Sequence, residues 1–384
     1  MKIQRFLLAQ LTHAIQPGKV LILYGPRQVG KTTLVQDLFA ASDLPVDRRG
    51  YISADELTYR EALASQNRRT LGELLGDRRL LVIDEAQRVP EIGLNLKILV
   101  DNYPQAAIIA TGSASFDLAR QVSEPLTGRK LTFTLYPAGY AELAATLGPF
   151  DAHAELERWL IWGGYPGIVT ADPALRERLL GELVGSYLYR DLLELDGVRR
   201  AEKIVDLLRL LAFQIGQEVS IAELATTLAM NRQTVERYLD LLEKVFVIFK
   251  VGGLARNLRK EISKTSRYYF FDNGVRNSLI QNFNRLALRN DTGQLWENYL
   301  MVERRKANEY AGRQANTYFW RTYDQKELDY VEERAGRLFG YEFKWQGQVR
   351  AATRGAFMAA YPGAEVTTIT RENFTHFLAG PGAP

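Results

Sequence analysis

Short apolar runs alternate with amphipathic stretches along the first third of the chain. The runs at residues 20–24, 79–85 and 106–115 each hold at least four consecutive apolar residues. Such short runs without period-two alternation are typical of strands that are buried on both faces of a parallel sheet. Because helical stretches separate them as far as about residue 137, the pattern predicts a doubly wound α/β sheet.

The pattern changes after residue 137. Residues 138–195 have a helical period that is broken by GGYPG at 163–167, and we interpret this region as a helical lid. Further on, Ser220 and Asn231 each stand where they would cap a helix, and the β-branched and aromatic run VFVIFKV follows. Two helices joined by a tight turn and followed by strands predict a winged helix-turn-helix.

Composition narrows the class of protein. Of the 384 residues, 46% are hydrophobic and 24% are charged, which is an ordinary globular balance. No cysteine is present, so disulfides and thiolate metal ligands are excluded. No apolar run reaches the roughly 18 residues that a membrane span needs. The N-terminus has no cleavage-site pattern, and we expect a cytoplasmic protein without a membrane partner.

One loop carries the strongest chemical signal in the sequence. Gly25, four spacers, Gly30, Lys31 and Thr32 have the spacing of a phosphate-binding P-loop between a predicted strand and a predicted helix. The spacing predicts binding of ATP with Mg²⁺, in which Lys31 reaches the β and γ phosphates and the Thr32 hydroxyl binds the metal. The predicted cofactor-binding residues are Gly25, Pro26, Arg27, Gln28, Val29, Gly30, Lys31, Thr32 and Thr33.

Polar residues follow the later strands of the same sheet. Asp84 and Glu85 close one strand, where Asp84 is predicted to bind magnesium and Glu85 to activate a water molecule. Thr111 and Ser113 end the next and are predicted to contact the γ phosphate or the water, with a simple strand-end turn as the alternative. Arg129 precedes another strand, where it would either complete a neighbouring subunit's nucleotide site or cap a sheet edge.

Positive charge is concentrated in residues 199–267. This segment has 13 lysines and arginines against 8 aspartates and glutamates, whereas the whole chain has a net charge of +4. In the winged-helix interpretation the segment binds DNA, and the alternative is a domain used for protein contacts or subunit packing. The predicted DNA-binding residues are Arg232, Gln233, Thr234 and Arg237 on the second helix, and Arg256, Arg259, Lys260 and Lys264 on the wing.

Acids recur in the last hundred residues. Glu342 and Lys344 share one face of a predicted strand, Asp329 lies in the strand before it, and Glu297 lies on a preceding helix. A metal-dependent phosphodiesterase needs such a set, with metal held by Glu297, Asp329 and Glu342 and with Lys344 orienting a water. The alternatives are a site that binds DNA without cleaving it, and salt bridges at a strand edge.

From about Ile3 to Ile369, these motifs resemble those of prokaryotic AAA-type P-loop ATPases, a family akin to archaeal ATPases that are thought to handle DNA. The segments that carry the resemblance are GPRQVGKTTL, VIDEAQ, ATGSAS, LTGR followed by LYP, GGYP, YLYRD, YYFFDNGVRNSL, GQLWENYL, FWR, ELDY and EFK. The resemblance implies an AAA-like core, a winged helix and a C-terminal domain of unknown function that is similar to PD-(D/E)xK restriction nucleases. Leu328 departs from the nuclease motif, which has proline before the aspartate.

We therefore expect an α/β protein of four domains. They are a P-loop ATPase core at 1–137, a helical lid at 138–198, a winged-helix domain at 199–275 and a restriction-endonuclease-like α/β domain at 276–384. The expected function is ATP hydrolysis coupled to domain movement on duplex or branched DNA, in a homo-oligomeric ring or dimer. The alternatives are an ATP-dependent regulatory switch that acts on a protein partner, and an ATP-gated metal-dependent DNA nuclease.

Overall fold

The computed structural model describes residues 1–113, 125–193, 201–256, 265–347 and 351–379. These residues form two compact units. The first consists of Met1–Ala138 together with Lys244–Phe246 and residues 190–193, and the second contains the remaining described residues. The predicted division into four domains stays a prediction.

The first unit is built on a five-stranded parallel sheet. Its strands are Val20–Tyr24 (β1), Arg49–Ser53 (β2), Leu80–Asp84 (β3), Ala107–Thr111 (β4) and Lys130–Thr134 (β5). The order is β2-β3-β4-β1-β5, and all neighbouring strands run parallel. Every residue of β1, β3 and β4 is buried, as the continuous apolar runs predict. The predicted mixed α/β fold with a parallel sheet is confirmed.

Helices connect these strands and supply the rest of the core. They are Leu7–Ala14 (α1), Lys31–Ala40 (α2), Leu57–Leu63 (α3), Arg68–Leu75 (α4) and Ile92–Asn102 (α5). Their apolar faces pack on the sheet through fully buried side chains such as Leu71 and Leu96. Because all five strands are parallel, the loops after β1, β3 and β4 lie at one edge of the sheet, where α/β proteins bind ligands.

The second unit holds a mixed sheet and most of the helices. Its strands are Glu218–Val219 (β6), Ile248–Gly253 (β7), Ser266–Phe270 (β8), Asn316–Arg321 (β9), Glu327–Arg334 (β10), Arg337–Phe343 (β11) and Glu365–Ile369 (β12). The helices wholly or mainly in it are Tyr140–Leu147 (α6), Pro149–Ala154 (α7), Leu156–Trp162 (α8), Pro166–Val169 (α9), Arg176–Leu193 (α10), Ala201–Phe213 (α11), Ile221–Thr227 (α12), Arg232–Lys244 (α13), Asn273–Leu279 (α14), Thr292–Tyr310 (α15), Ala351–Ala360 (α16) and Phe374–Ala379 (α17).

One sheet joins strands that the sequence assigned to different domains. The order is β12-β11-β10-β9-β7-β8-β6, so the strands after α13 and the C-terminal strands form a single layer. The junction is the parallel pair β7 and β9, in which Gly252 lies opposite Tyr318. A winged helix and a separate nuclease-like domain therefore stay predictions.

Two glycines of this unit, Gly163 of GGYPG and Gly274, lie close to the buried carboxylate of Asp272. Asp272 caps α14, since its Oδ1 accepts from Val275 N at 3.0 Å and its Oδ2 accepts from Gly164 N at 2.7 Å. A Cβ on Gly163 would lie 2.0 Å from Asp272 Oδ1, and one on Gly274 would lie 2.2 Å from the Trp162 carbonyl oxygen. Gly163 of GGYPG and Gly274 are thus required by close packing of α8 against the start of α14.

Buried amides extend this contact. Asn277 Nδ2 donates to the Ile161 carbonyl of α8 at 2.8 Å, and Asn298 Nδ2 of α15 donates to Asn273 Oδ1 at 2.6 Å. Asn277 and Asn298 are fully buried, so each of these bonds satisfies a group that would otherwise be costly to bury. The network links helices from three predicted domains within one compact unit. Among the helices that the structure describes, none is long and apolar enough to cross a membrane.

Candidate functional site

The loop after β1 forms a cradle that only glycine permits at two positions. Gly25 has φ 152°, and a Cβ there would lie 2.2 Å from the Leu135 carbonyl oxygen. Gly30 has φ 94° and precedes α2, which has no side-chain cap at its N-terminus and no acid in its first turn. The first-turn N–H groups of α2 therefore face outward without the usual capping oxygen, which is the arrangement that binds phosphate.

Lys31 lies in this cradle and is only 6% exposed. Its Nζ donates to the carbonyl oxygens of Gly25 and Pro26, both at 2.9 Å. A buried ammonium beside the N-terminus of α2 favours an anionic ligand, because both carry positive charge. Along the rest of the predicted loop, Val29 is buried, Arg27 is half-buried, and Gln28, Thr32 and Thr33 are exposed. These residues fit the polyphosphate of ATP.

Asp84, at the end of β3, is the centre of the hydrogen bonds beside the loop. Its Oδ2 accepts from Thr32 Oγ1 at 2.9 Å and from the Tyr51 hydroxyl at 2.6 Å, and its Oδ1 accepts from Thr111 Oγ1. The structure thus brings together three residues that the sequence predicted for this site. A hydroxyl and a carboxylate that touch each other offer the hard oxygen ligands that Mg²⁺ prefers, so Thr32 and Asp84 fit that ion.

Glu85 has an unusual backbone conformation. Its φ of 53° and ψ of 37° are left-handed, which costs a non-glycine residue about 1–3 kcal/mol. Its N–H points to Asp84 Oδ1 at 3.2 Å and to Thr111 Oγ1 at 3.3 Å. The side-chain amide of Gln87 joins Glu85 Oε2, at 2.5 Å, to Ser113 Oγ, at 3.0 Å. Glu85 and Ser113 are therefore linked, although 28 positions separate them in the sequence.

Arg129 lies at the amino-terminal end of the strands, whereas the cradle lies at their carboxyl ends. It precedes β5, where Lys130 lies opposite Val20 at the start of β1. A strand of five residues is roughly 16 Å long, so this end is distant from the cradle. Arg129 Nε pairs with Asp101 Oδ1 at 2.5 Å. Arg129 does not reach the nucleotide site of its own chain, and its role in a neighbouring subunit stays a prediction.

The predicted DNA-binding residues lie partly on α13. Asn231 caps this helix, accepting from Thr234 N at 2.7 Å. Arg232, Gln233 and Arg237 are exposed on it, whereas Thr234 is half-buried. Arg232 pairs with Glu236 at 3.0 Å, one turn along. On the predicted wing, Arg256 pairs with Glu333, and the remaining three residues lie outside the described part of the chain: Arg259, Lys260 and Lys264.

The predicted nuclease-like residues come close together in the second unit. Lys344 Nζ pairs with Glu342 Oε1 at 2.7 Å, Asp329 Oδ2 accepts from Phe343 N at 2.7 Å, and Glu297 Oε1 accepts from the Tyr269 hydroxyl at 2.7 Å. Burial raises the pKa of Glu297 to about 7 despite the opposing effect of Arg267. Burial, reinforced by Glu297 and Glu342, raises the pKa of Asp329 well above its ordinary value.

Protein groups already contact each of these carboxylates. Across the described residues there is no group of three or more His, Cys, Asp or Glu side chains that could hold a metal ion. Protein donors already bind Asp329 and Glu297, and the lysine already pairs with Glu342, whose other oxygen is buried without a hydrogen-bond partner. Burial and repulsion by neighbouring acids raise the pKa of Glu297 and Asp329, so both carboxylates bind protons more tightly than they would in water. The role of Glu297, Asp329 and Glu342 as metal ligands therefore stays a prediction.

Three family models match successive parts of the chain. Residues 17–144 match an AAA domain, residues 153–286 match a domain of unknown function (DUF8612), and residues 292–375 match a domain of unknown function (DUF4143). An uncharacterized protein of Mycobacterium tuberculosis is 31% identical over 348 residues, covering 88% of this chain and 72% of that protein. This chain belongs to the same family as the mycobacterial protein. The AAA domain identifies it as an AAA-type ATPase family, as the P-loop predicted.

Other similarities are more distant. An uncharacterized protein of Methanocaldococcus jannaschii is 24% identical over 315 residues, covering 76% of this chain and 67% of that protein. A signal transduction ATPase with a tetratricopeptide repeat sensor from Pyrococcus horikoshii has a TM-score of 0.30 at 12% identity, and the match spans 81% of this chain and about half, 48%, of that chain. The replication initiator DnaA bound to AMPPCP and single-stranded DNA has a TM-score of 0.29 at 15% identity, covering 62% of this chain and 86% of that one. TM-scores this low do not bear on function.

Three further residues contribute to these sites without having been singled out in the sequence. Tyr51 binds Asp84, and burial together with that hydrogen bond raises its pKa. Gln87 bridges two predicted catalytic residues, and its signal was its position inside the VIDEAQ segment. Arg267 is 2% exposed and pairs with two acids: its Nη2 lies 2.9 Å from Glu327 Oε1, and its Nη1 lies 3.7 Å from Glu297 Oε1. Its signal was the period-two spacing that places it on the same face of β8 as Tyr269.

Proposed function

We propose that the protein hydrolyses ATP at the cradle of the first unit and couples this reaction to movement on duplex or branched DNA. The observation that carries the ATPase part is the convergence of Lys31, Thr32, Asp84 and Thr111 at one edge of a parallel sheet. This edge combines a phosphate cradle with a carboxylate, and a second acid follows directly in the sequence.

Each residue has a separate task in this proposal. Lys31 and the N–H groups of the loop bind the phosphates, and Thr32 and Asp84 hold Mg²⁺, which supplies charge stabilisation to the phosphates when bound. Glu85 accepts a proton from the attacking water. Thr111 and Ser113 contact the γ phosphate or that water. Arg129 acts on a neighbouring subunit in a ring or dimer, and sizing with and without nucleotide tests that assembly.

Substitution of Lys31 tests the nucleotide site. Loss of a charged hydrogen-bond donor in Lys31→Ala should weaken the affinity for fluorescent ATP by about 10- to 100-fold. Glu85→Gln should keep that affinity while hydrolysis falls by about 10²- to 10⁴-fold. Lys97→Ala, on α5 of the same unit, is the control and should match the parent. Equal affinity in Lys31→Ala and the parent would remove the basis for the proposal.

The DNA part is supported by the exposure of Arg232 and Arg237 on α13 and by the charge excess of the segment at 199–267. Arg232→Ala with Arg237→Ala should weaken duplex binding and lower its salt dependence by roughly one unit of slope per arginine. Arg178→Ala is a matched control, because Arg178 pairs with Glu182 at 3.1 Å with the same spacing as Arg232 and Glu236.

ATPase rates measured without DNA and with single strands, duplex and four-way junctions identify the preferred DNA. If no DNA changes the rate and none is bound at low salt, a regulatory switch acting on a protein partner is the better interpretation.

A further inference from the structure

We propose that Gln87 positions the attacking water for hydrolysis, an inference that rests on the proposed ATPase function. Gln87 lies in the short 3-10 turn Ala86–Arg88 that follows Glu85. Its Nε2 donates to Glu85 Oε2 at 2.5 Å and to Ser113 Oγ at 3.0 Å. The amide therefore stands between the proposed base and a proposed sensor of the γ phosphate.

The orientation of the Gln87 amide follows from its partners. A carboxylate only accepts hydrogen bonds, so the NH₂ group must face Glu85, and the reverse orientation would place two oxygens against each other. Both amide hydrogens are then used. The remaining atom, Oε1, is buried and has no hydrogen-bond partner among the described residues.

An unpaired buried acceptor costs about 1–3 kcal/mol, and such atoms call for a functional or structural reason. Here the atom belongs to an amide whose position is fixed at its other end and by its backbone. Arg88 N donates to the Glu85 carbonyl at 3.0 Å, and Val89 N donates to the Ala86 carbonyl at 3.1 Å. These bonds fix the backbone of the turn, while Glu85 and Ser113 hold the amide nitrogen. A water molecule is the smallest donor that would satisfy Oε1.

The chemistry needs a water with two acceptors. One hydrogen of the water bonds to Glu85 and the other to Gln87 Oε1, which leaves an oxygen lone pair directed at the γ phosphorus. As the new P–O bond forms, the bond between the γ phosphorus and the bridging oxygen breaks and its electron pair leaves with ADP. The proton passes to Glu85. Gln87 exchanges no proton, so it is a positioning residue.

Gln87→Ala in the full chain tests this role. Misplacement of a reacting group by about 1 Å costs on the order of 10²-fold in rate, so kcat should fall by about that factor. KM and the affinity for fluorescent ATP should stay close to those of the parent, because no ATP contact is assigned to this side chain. Gln217→Ala makes the same change at an exposed position in the second unit and should leave all three values unchanged.

A double substitution separates positioning from a structural role. In the Glu85→Gln background, Gln87→Ala should have little further effect on kcat, since the two side chains act on the same water. Multiplicative losses would overturn the inference, as would parent-like turnover in Gln87→Ala or a parallel loss of ATP affinity. If the parent itself neither binds nor hydrolyses ATP, the proposed function fails and this inference fails with it.

Discussion

Replacement of Gly163 by alanine should destabilise the second unit severely. Gly163 ends α8 with φ 76° and ψ −169°, a conformation that is essentially restricted to glycine. A Cβ at this position would lie 2.0 Å from Oδ1 and 2.5 Å from Cγ of Asp272. The carboxylate would have to move, although it accepts hydrogen bonds from Gly164 N at 2.7 Å and from Val275 N at 3.0 Å.

The magnitude follows from these contacts. The backbone conformation costs alanine about 1–3 kcal/mol. Loss of the two hydrogen bonds to a charged acceptor costs about 1.5–3 kcal/mol for each bond. Even with partial relaxation, Gly163→Ala should lose about 4–6 kcal/mol of unfolding free energy, a large part of the 5–15 kcal/mol that is typical of a folded domain.

Tryptophan fluorescence during urea unfolding measures this loss in the right unit. The five tryptophans of the chain are Trp159, Trp162, Trp296, Trp320 and Trp345, all of which belong to the second unit.

Gly148→Ala is the matched control, because Gly148 has φ 91° and ψ 149° but nothing within 4 Å of its would-be Cβ. This control should lose only the conformational part. Equal losses in Gly163→Ala and Gly148→Ala would refute the reasoning about Asp272.

Two further predictions concern the same unit. Burial raises the pKa of Asp272 above its ordinary value of 3.8, so the folded state binds the proton more tightly than the unfolded state. The contribution of Asp272 to stability is therefore largest at low pH, and it declines as the pH rises from 3.8 to the raised pKa. In urea titrations, the difference in unfolding free energy between the parent and Asp272→Asn should narrow across that pH range. A difference that widens with pH would contradict the raised pKa. Among the described residues, Glu297, Asp329 and Glu342 do not form a group that could hold a metal ion. Millimolar Mg²⁺ or Mn²⁺ without nucleotide should therefore leave the tryptophan-monitored unfolding midpoint unchanged. A rise in the midpoint that disappears in Asp329→Asn would instead establish a metal site there.

Features that depend on local pattern could be predicted from the residues alone. Buried runs fixed β1, β3 and β4 as central parallel strands, and the spacing from Gly25 to Thr32 placed a phosphate loop before α2. Asp84 and Thr111 could be assigned to one site because parallel strands present their carboxyl ends at the same edge. In each case the information lies within a few residues or follows from strand direction.

The distant side chains that complete these sites could not be predicted, because packing between elements brings them together. Gly164 and Asp272 are 108 positions apart and meet because α8 packs on the start of α14. The parallel pairing of β7 with β9 merged two predicted domains into one sheet. Spacing predicted the C-terminal carboxylates as metal ligands, but the groups that donate to Asp329 and Glu297 come from other strands, β11 and β8. Contacts of this kind depend on packing between elements, which no local periodicity encodes.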